Sequence, residues 1–412
     1  VTLDRRAVLG FSAIAPALAA APRIAAALQS PAIAPAAPIT RAERESRLAR
    51  MQAELRRRNL SALLVEAGSS LVYFTGIDWW RSERTTAAII PAEGPVLIVT
   101  PFFEEPPIRE MLGVHGEVRV WQEDESPFAL IADWLKARKL GGGTLAVEET
   151  ARFFIVDGIR NLLPDLRTVS GAGVVNTLRL IKSPAEIALM QRANDILNSA
   201  YRATHPQVQR GMTATEINAI MTGEIARLSG QRGSSSAQIG PGSALPHGSK
   251  ERLKLNEGMI VLMDCVCTVE GYHADISRTF VHGAPSAEQR KVFANMHRGQ
   301  EIAMEAARIG VAAGSVDDAV RGYYEQLGYG PRYRLPGLSH RTGHGIGLDV
   351  HEPVNLVHGE TTPLAAGMCF SNEPGLYLPG KFGVRIEDCF YMTDRGSRYF
   401  TQPPGSLDQP VG

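Results

Sequence analysis

The chain carries no excess of either charge: 43 lysines and arginines stand against 43 aspartates and glutamates in 412 residues. A general binder of polyanions needs a basic surplus, so nucleic acid is not an expected partner, and only a local basic patch is compatible with this balance. Cysteine is scarce. Four in this length do not make a disulfide scaffold. Cys265 and Cys267 alternate along the segment that bears Asp264, which puts them on its opposite face as buried free thiols rather than metal ligands. Long hydrophobic runs are missing too: the Ala-rich stretch near the start is interrupted by Pro16 and Pro22 and is too short for a stable membrane span. No internal repeat is visible. What remains is a chain of ordinary apolar content, 44%, long enough for two domains with a core each.

Residues 1–28 read as an export signal, with a charged start, a short apolar run and small residues suited to an Ala-x-Ala cut. The pair Arg5-Arg6 resembles a twin-arginine signal, which implies a periplasmic or otherwise exported protein; a disordered extension on a cytoplasmic protein is the alternative. Residues 29–39, rich in proline and alanine, form a linker. Thr40 with Glu43 spells a capping box that opens a charged helix through about Arg58. Apolar segments at 62–65, 87–90 and 96–99 then alternate with helix-like stretches at 103–112, 127–139 and 151–163, the pattern of an α/β layered domain over 40–175. Trp79, Trp80, Arg81, Phe102 and Phe103 could meet a substrate or a partner subunit, but core packing is the expectation for most of them.

The character changes near residue 175. Ser183, Pro184 and Glu186 are the N-cap, first turn and capping-box residues of a helix whose apolar positions include Ile187, Met190, Leu197 and Tyr201. Further helices start at Thr213, near Ser286 and near Ser315, and strands are expected at 259–270, 273–281, 367–378 and 382–393. This second domain, 176–412, is α+β.

The chemistry gathers there. Three of the ten histidines fall in His340-Arg-Thr-Gly-His-Gly-Ile-Gly-Leu-Asp-Val-His-Glu352. Gly343 and Gly345 flank His344, leaving little bulk to keep a metal or a substrate from its ring. Asp264 ends the apolar run 259–263 and Glu387 follows Val384 and Ile386, so both carboxylates are expected in buried β-structure, where an uncompensated charge is costly. Asp275 would share an inward face with Asp264 if their strands pair around a turn at Glu270-Gly271-Tyr272. With Glu373 and His344 the set is four carboxylates and one imidazole, and a hard divalent cation is its natural compensation.

Asp264, Asp275, His344, Glu373 and Glu387, in this order, resemble the ligand set of the pita-bread metallopeptidases: methionine aminopeptidase, aminopeptidase P, prolidase and the metal-free creatinase. The match runs over residues 180–395, and Tyr73-Phe-Thr-Gly76 is similar to a phrase of the amino-terminal domains of aminopeptidase P and prolidase. The resemblance implies a pita-bread catalytic domain, a curved antiparallel sheet backed by helices, preceded by a creatinase/prolidase-type α/β domain. It implies two divalent ions, manganese first, with zinc, cobalt or iron as alternatives. The equivalents of Asp275 and Glu387 bridge both ions, leaving Asp264 to one and His344 with Glu373 to the other. Glu373 would also carry the proton from water to the leaving nitrogen. His247 and His351 match substrate-facing histidines that stabilise the carbonyl oxygen, and His340 has the position seen in aminopeptidase P and prolidase. Arg385, two residues before Glu387 and on the same strand face, would anchor substrate or hold a carboxylate ligand.

His340, the form of the His344–His351 segment, Arg385 and the amino-terminal domain favour the branch that hydrolyses Xaa-Pro bonds, and a homo-oligomer of two or more subunits is expected. A tertiary amide to proline has no N–H and a fixed ring, so a pocket shaped for it would supply selectivity. Three other readings compete: a metal-dependent hydrolase of a small non-peptide C–N bond, as in creatinase or ectoine-type relatives; a dimethylsulfoniopropionate-cleaving relative, disfavoured because Val266 offers no extra carboxylate; and a non-catalytic binding module on the same fold.

Overall fold

A computed structural model describes residues 33–411 of the chain, and from Pro35 onward these form one compact unit. The expected export signal lies outside the described residues, as does the start of the linker. Among the described residues no helix is long and apolar enough to cross a membrane.

The first half is built on a six-stranded mixed sheet of β1 (Ala62–Glu66), β2 (Ala87–Pro91), β3 (Val96–Pro101), β4 (Gly116–Trp121), β5 (Thr144–Val147) and β6 (Arg167–Ser170), in the order β4-β3-β2-β1-β5-β6. β1, β2 and β3 are buried along their whole length, which is why they read as continuous apolar runs instead of alternating ones. Helices Pro127–Ala137 and Phe153–Leu162 cover one face around Trp134, Ile131 and Ile159. The other face is covered by helix Arg41–Arg57, and its core runs on without a break into Tyr272, Ile346, Leu348 and Phe400 of the second half. The two halves therefore share one apolar seam.

The Thr40–Glu43 box is only half made. Thr40 caps Glu43 N at 3.2 Å, but the Glu43 carboxylate turns to Arg47 and Ser183, both at 2.7 Å, because the buried guanidinium of Arg47 competes for it. Arg47 also reaches Tyr73 O and Tyr272 Oη, tying the first helix to the catalytic half. The other boxes form in full: Ser183–Glu186, Thr213–Glu216 and Ser286–Gln289 open helices Pro184–Thr204, Ala214–Ser229 and Ala287–Ala306. The last helix, Gly314–Gln326, starts one residue before Ser315 and has no side-chain cap.

The catalytic half carries β7 (Ser234–Ile239), β8 (Ile260–Val269), β9 (Tyr272–Val281), β10 (Gly343–Gly345), β11 (Glu352–Leu356), β12 (Cys369–Asn372), β13 (Gly375–Leu378), β14 (Phe382–Arg385), β15 (Asp388–Thr393) and β16 (Gly396–Tyr399). They form the antiparallel sheets β7-β8-β9 and β11-β10-β12-β15-β16 with the hairpin β13-β14, the curved pita-bread arrangement. Helix Pro184–Thr204 lies along β8 and β9 with Met190, Leu197 and Tyr201 buried against them. Tyr201 Oη sits 2.9 Å from Met263 O and 2.7 Å from Ile276 O, gripping the residues next to Asp264 and Asp275.

Two expectations need correction. Each of the long strands expected at 367–378 and 382–393 is broken in two, at Glu373-Pro374 and at Ile386-Glu387. Pro374 has no N–H to continue a ladder, and Glu387 pairs its backbone with Ser277 of β9, crossing from one sheet to the other. Core packing also fails for Trp80, Phe102 and Phe103, which are 65%, 52% and 55% exposed. They stand on connecting segments that Trp79 Nε1 joins by donating to Glu104, so the sheet beneath is already filled without them. Cys265 and Cys267 are free and buried, as expected, and so are Cys369 and Cys389.

Candidate active site

The hairpin β8-β9 sets the first two carboxylates. Its turn needs left-handed backbone at Glu270 (φ 52°) and Gly271 (φ 80°). The resulting register opposes Asp264 to Ser277 and Val266 to Asp275, so that the two aspartates share one face. Glu373 and Glu387 sit at the two strand breaks, where the backbone leaves one sheet and a side chain is free to turn inward. His344 projects from β10. A Cβ on Gly343 would lie 2.1 Å from Ser371 O, and one on Gly345 would lie 2.7 Å from the carbonyls of Glu352 and Pro353. Close strand approach on both sides, more than room for a ligand, is what demands these two glycines.

His344 Nε2 lies 3.5 Å from Glu373 Oε1 and 3.9 Å from both Asp275 Oδ2 and Glu387 Oε1. Its Nδ1 is 3.0 Å from Gly345 O, which makes Nδ1 the protonated nitrogen and leaves the Nε2 lone pair facing the carboxylates. Donor atoms of Asp275, His344 and Glu387 fall within 4.8 Å of one another. Asp275 Oδ1 is buried with no hydrogen-bond partner.

The electrostatics are unfavourable as they stand. Burial, then the neighbouring carboxylates, drive Asp275 and Glu387 well above the ordinary carboxylate range, and burial pushes Glu373 up to about 7. Burial likewise lowers His344 and His340 to about 3 and depresses His351, where the charge of Arg341 adds to the effect. Clustered acids with an orphaned oxygen and a neutral imidazole aimed at them form a donor set that a divalent cation satisfies. The residues fit a metal.

Around this cluster runs a hydrogen-bonded belt. Arg385, 3% exposed, donates from Nη2 to Asp264 Oδ2 (2.7 Å), from Nη1 to Tyr377 Oη (3.1 Å) and from Nε to Ser277 Oγ (3.0 Å). Ser277 passes its own proton to Glu387 Oε2 at 2.7 Å. Tyr377 Oη is 2.8 Å from His340 Nε2, and His340 Nδ1 is 2.8 Å from Arg341 O, so one directed chain runs Arg385, Tyr377, His340, Arg341. Arg385 thus holds carboxylates, and each of its three nitrogens has a protein partner. Ser277 and Tyr377 were not singled out from the sequence. Their signal was position alone, two residues after Asp275 and four after Glu373.

The four carboxylates, His340, His344 and Arg385 open onto one cavity of about 600 Å³, lined also by Ser234, Ser236, Pro246, Val266, Arg341 and Val350, with Ser277 and Tyr377 buried behind them. His247 and His351 line it with exposed rings, and His351 stacks edge-on against His344 at 4.3 Å between centroids. Every residue expected at the site is brought to this cavity.

Comparison with known proteins follows the same division. Residues 188–394 match the model of metallopeptidase family M24, and residues 47–181 match the creatinase/prolidase N-terminal domain. The chain belongs to the M24 metallopeptidases. An Xaa-Pro dipeptidase of Lactobacillus helveticus is 32% identical over 349 residues, covering 82% of this chain and 92% of that one. Among solved structures, dipeptidase PepE from Mycobacterium ulcerans superposes with a TM-score of 0.82 at 31% identity, covering 90% of this chain and 99% of that one. A prolidase from Thermococcus sibiricus gives 0.80 at 29% identity, covering 86% and 96%. Family membership implies divalent metal ions in this M24 chain, in the same cavity that its own carboxylates point to.

Proposed function

We propose that this M24 protein hydrolyses the Xaa-Pro bond at the amino terminus of short peptides, with Asp264, Asp275, His344, Glu373 and Glu387 holding two divalent ions, manganese first among the candidates. The observation that carries the reading is the buried carboxylate cluster around His344 Nε2, opening onto a cavity whose walls carry three further histidines. The names of the relatives support the bond, since an Xaa-Pro dipeptidase and a prolidase are among them.

Such ions supply Lewis-acid polarisation of a carbonyl and an acidified water. The rest is done by the chain. Glu373, at the strand break beside His344 Nε2, would take a proton from the water and pass it to the leaving nitrogen. His247 and His351 place N–H donors at the cavity wall for the developing oxyanion. Arg385 and Ser277 keep Asp264 and Glu387 oriented. Purified protein with added manganese should release proline from Xaa-Pro substrates and lose that activity on chelation. Absence of turnover on every Xaa-Pro peptide would sink the proposal.

Self-association is proposed through Trp80, Phe102 and Phe103, three large apolar side chains left exposed on neighbouring segments. Sedimentation of the wild type against Trp80→Ser tests it. Export is proposed from Arg5-Arg6: lysine at both positions should retain uncleaved protein inside the cell.

A further inference from the structure

Two guanidiniums line the cavity, and the protein treats them differently. Arg385 is buried with each of its three nitrogens engaged, by Asp264, Tyr377 and Ser277. Arg341 is half-buried at the cavity wall, and among the described residues its side chain makes no hydrogen bond and no ion pair. Its backbone, however, is fastened on both sides. Arg321, paired with the buried Asp317 at 2.7 Å, donates to the carbonyl of His340. Asp317 Oδ1 accepts from Thr342 N at 3.1 Å and from Thr342 Oγ1 at 2.7 Å. The Arg341 carbonyl accepts from His340 Nδ1, and Thr342 O accepts from Glu373 N at 2.9 Å.

A planar cation without a protein partner, on a backbone locked to that of Glu373, is a preorganised receptor for a carboxylate. The substrate class decides which carboxylate. In an Xaa-Pro dipeptide the scissile nitrogen is bonded to the Cα that bears the terminal carboxylate, so that charge must enter the cavity along with the bond to be cut. In a longer peptide the same position is a neutral amide, and Arg341 would be left without a counter-charge.

We propose that Arg341 binds the α-carboxylate of the substrate and makes this cleft a dipeptidase site rather than one for longer peptides. The assignment rests on the Xaa-Pro reading of the preceding section. Arg341 is a specificity-determining group: it sorts substrates by whether the residue after the cut ends in a charge.

The test compares three substrates, the dipeptide Ala-Pro, its carboxamide Ala-Pro-NH2 and the tripeptide Ala-Pro-Ala, on metal-loaded wild type, Arg341→Met and Arg341→Lys. A charge-assisted hydrogen bond lost from the bound complex predicts that the ratio of kcat/KM for Ala-Pro to that for Ala-Pro-NH2 falls roughly 10- to 100-fold in Arg341→Met, mostly through KM. Arg341→Lys should fall between the two. Metal content and melting temperature, measured alongside, report whether each variant is folded and loaded. An unchanged ratio in a folded, loaded Arg341→Met overturns the anchor while leaving the peptidase reading in place. So does a wild type that cleaves the amide and the tripeptide as well as the acid. A wild type inactive on all three overturns the peptidase reading, and the anchor with it.

Discussion

The ion pair behind Glu387 offers the sharpest stability test. Arg278 and Asp388 are both 0% exposed and meet in a two-point contact at 3.0 and 2.7 Å. Burial pushes the Asp388 carboxyl above its ordinary value in spite of Arg278 and the donors from Thr401 and Gln300, so the pair does little more than offset its own desolvation. Removing one partner is another matter. Asp388→Ala leaves a buried guanidinium whose Nε already lacks a partner, held only by the carbonyls of Ser277 and Glu387. The expected cost is about 3–5 kcal/mol. Removing both should recover most of it, because Ser277 and Glu387 already exchange backbone hydrogen bonds at 3.2 and 3.1 Å and stay satisfied without Arg278. Urea unfolding of the wild type, Asp388→Ala and the double variant Arg278→Met/Asp388→Leu, at unchanged m-value, measures this. A cost for Asp388→Ala below about 1 kcal/mol refutes the reasoning, against the 3–5 expected for half a buried pair. A double variant no more stable than the single refutes it as well.

Asp264→Ala and Glu387→Ala are expected to abolish turnover and lower bound metal, and full activity of either after exhaustive chelation would end the metal reading. His247→Ala and His351→Ala should lower kcat roughly 10²–10³-fold with metal content unchanged, as for loss of an oxyanion donor; a collapse of metal content would make that histidine a ligand instead. Glu352 is held at about 2 against an ordinary 4.5 by Lys182 and Arg179 at the seam between the halves, where Arg179 also donates to Ser70 of the first half. A depressed carboxylate contributes stability that is complete above about pH 4.5 and lost as pH falls toward 2, here about 3 kcal/mol. Glu352→Gln should therefore flatten the acid limb of an unfolding-versus-pH curve, and an unaltered limb would show that the seam is not held this way.

The capping box at Ser183 and the helix starts at Thr213 and near Ser286 were legible because a cap and its partner lie only three residues apart. The box at Thr40 was misleading because the Glu43 carboxylate is taken by Arg47, its i+4 neighbour on the helix, and by Ser183, a tertiary partner 140 residues away. The same limit governs the site. Asp264 and Asp275 could be placed on one face from strand alternation, and Pro374 marks the break at Glu373, yet the break at Glu387 arises from a contact across sheets, Glu387 to Ser277 over 110 residues. Tyr377 and Ser277 escaped notice because a hydroxyl has no signature until its partners are in place. Arg341 stood in plain view beside His340, but an unpaired charge is a property of the folded chain. The exposed Trp80, Phe102 and Phe103 were misjudged because composition reports how apolar a residue is and not whether the layer beneath it is full.

The four buried thiols turn the chain into its own stopwatch. Burial raises Cys265, Cys267 and Cys369 to about 12 and Cys389 well above the ordinary thiol value, so in the native state almost no thiolate exists to meet an alkylating reagent. Labelling then waits for an opening, and its rate reports how often each locality comes apart. Cys389 donates to Asp275 O at 3.2 Å, directly behind the carboxylate cluster, whereas Cys267 is tied to Ala193 O of the helix at 3.1 Å. Stripping the ions should quicken the first clock before the second.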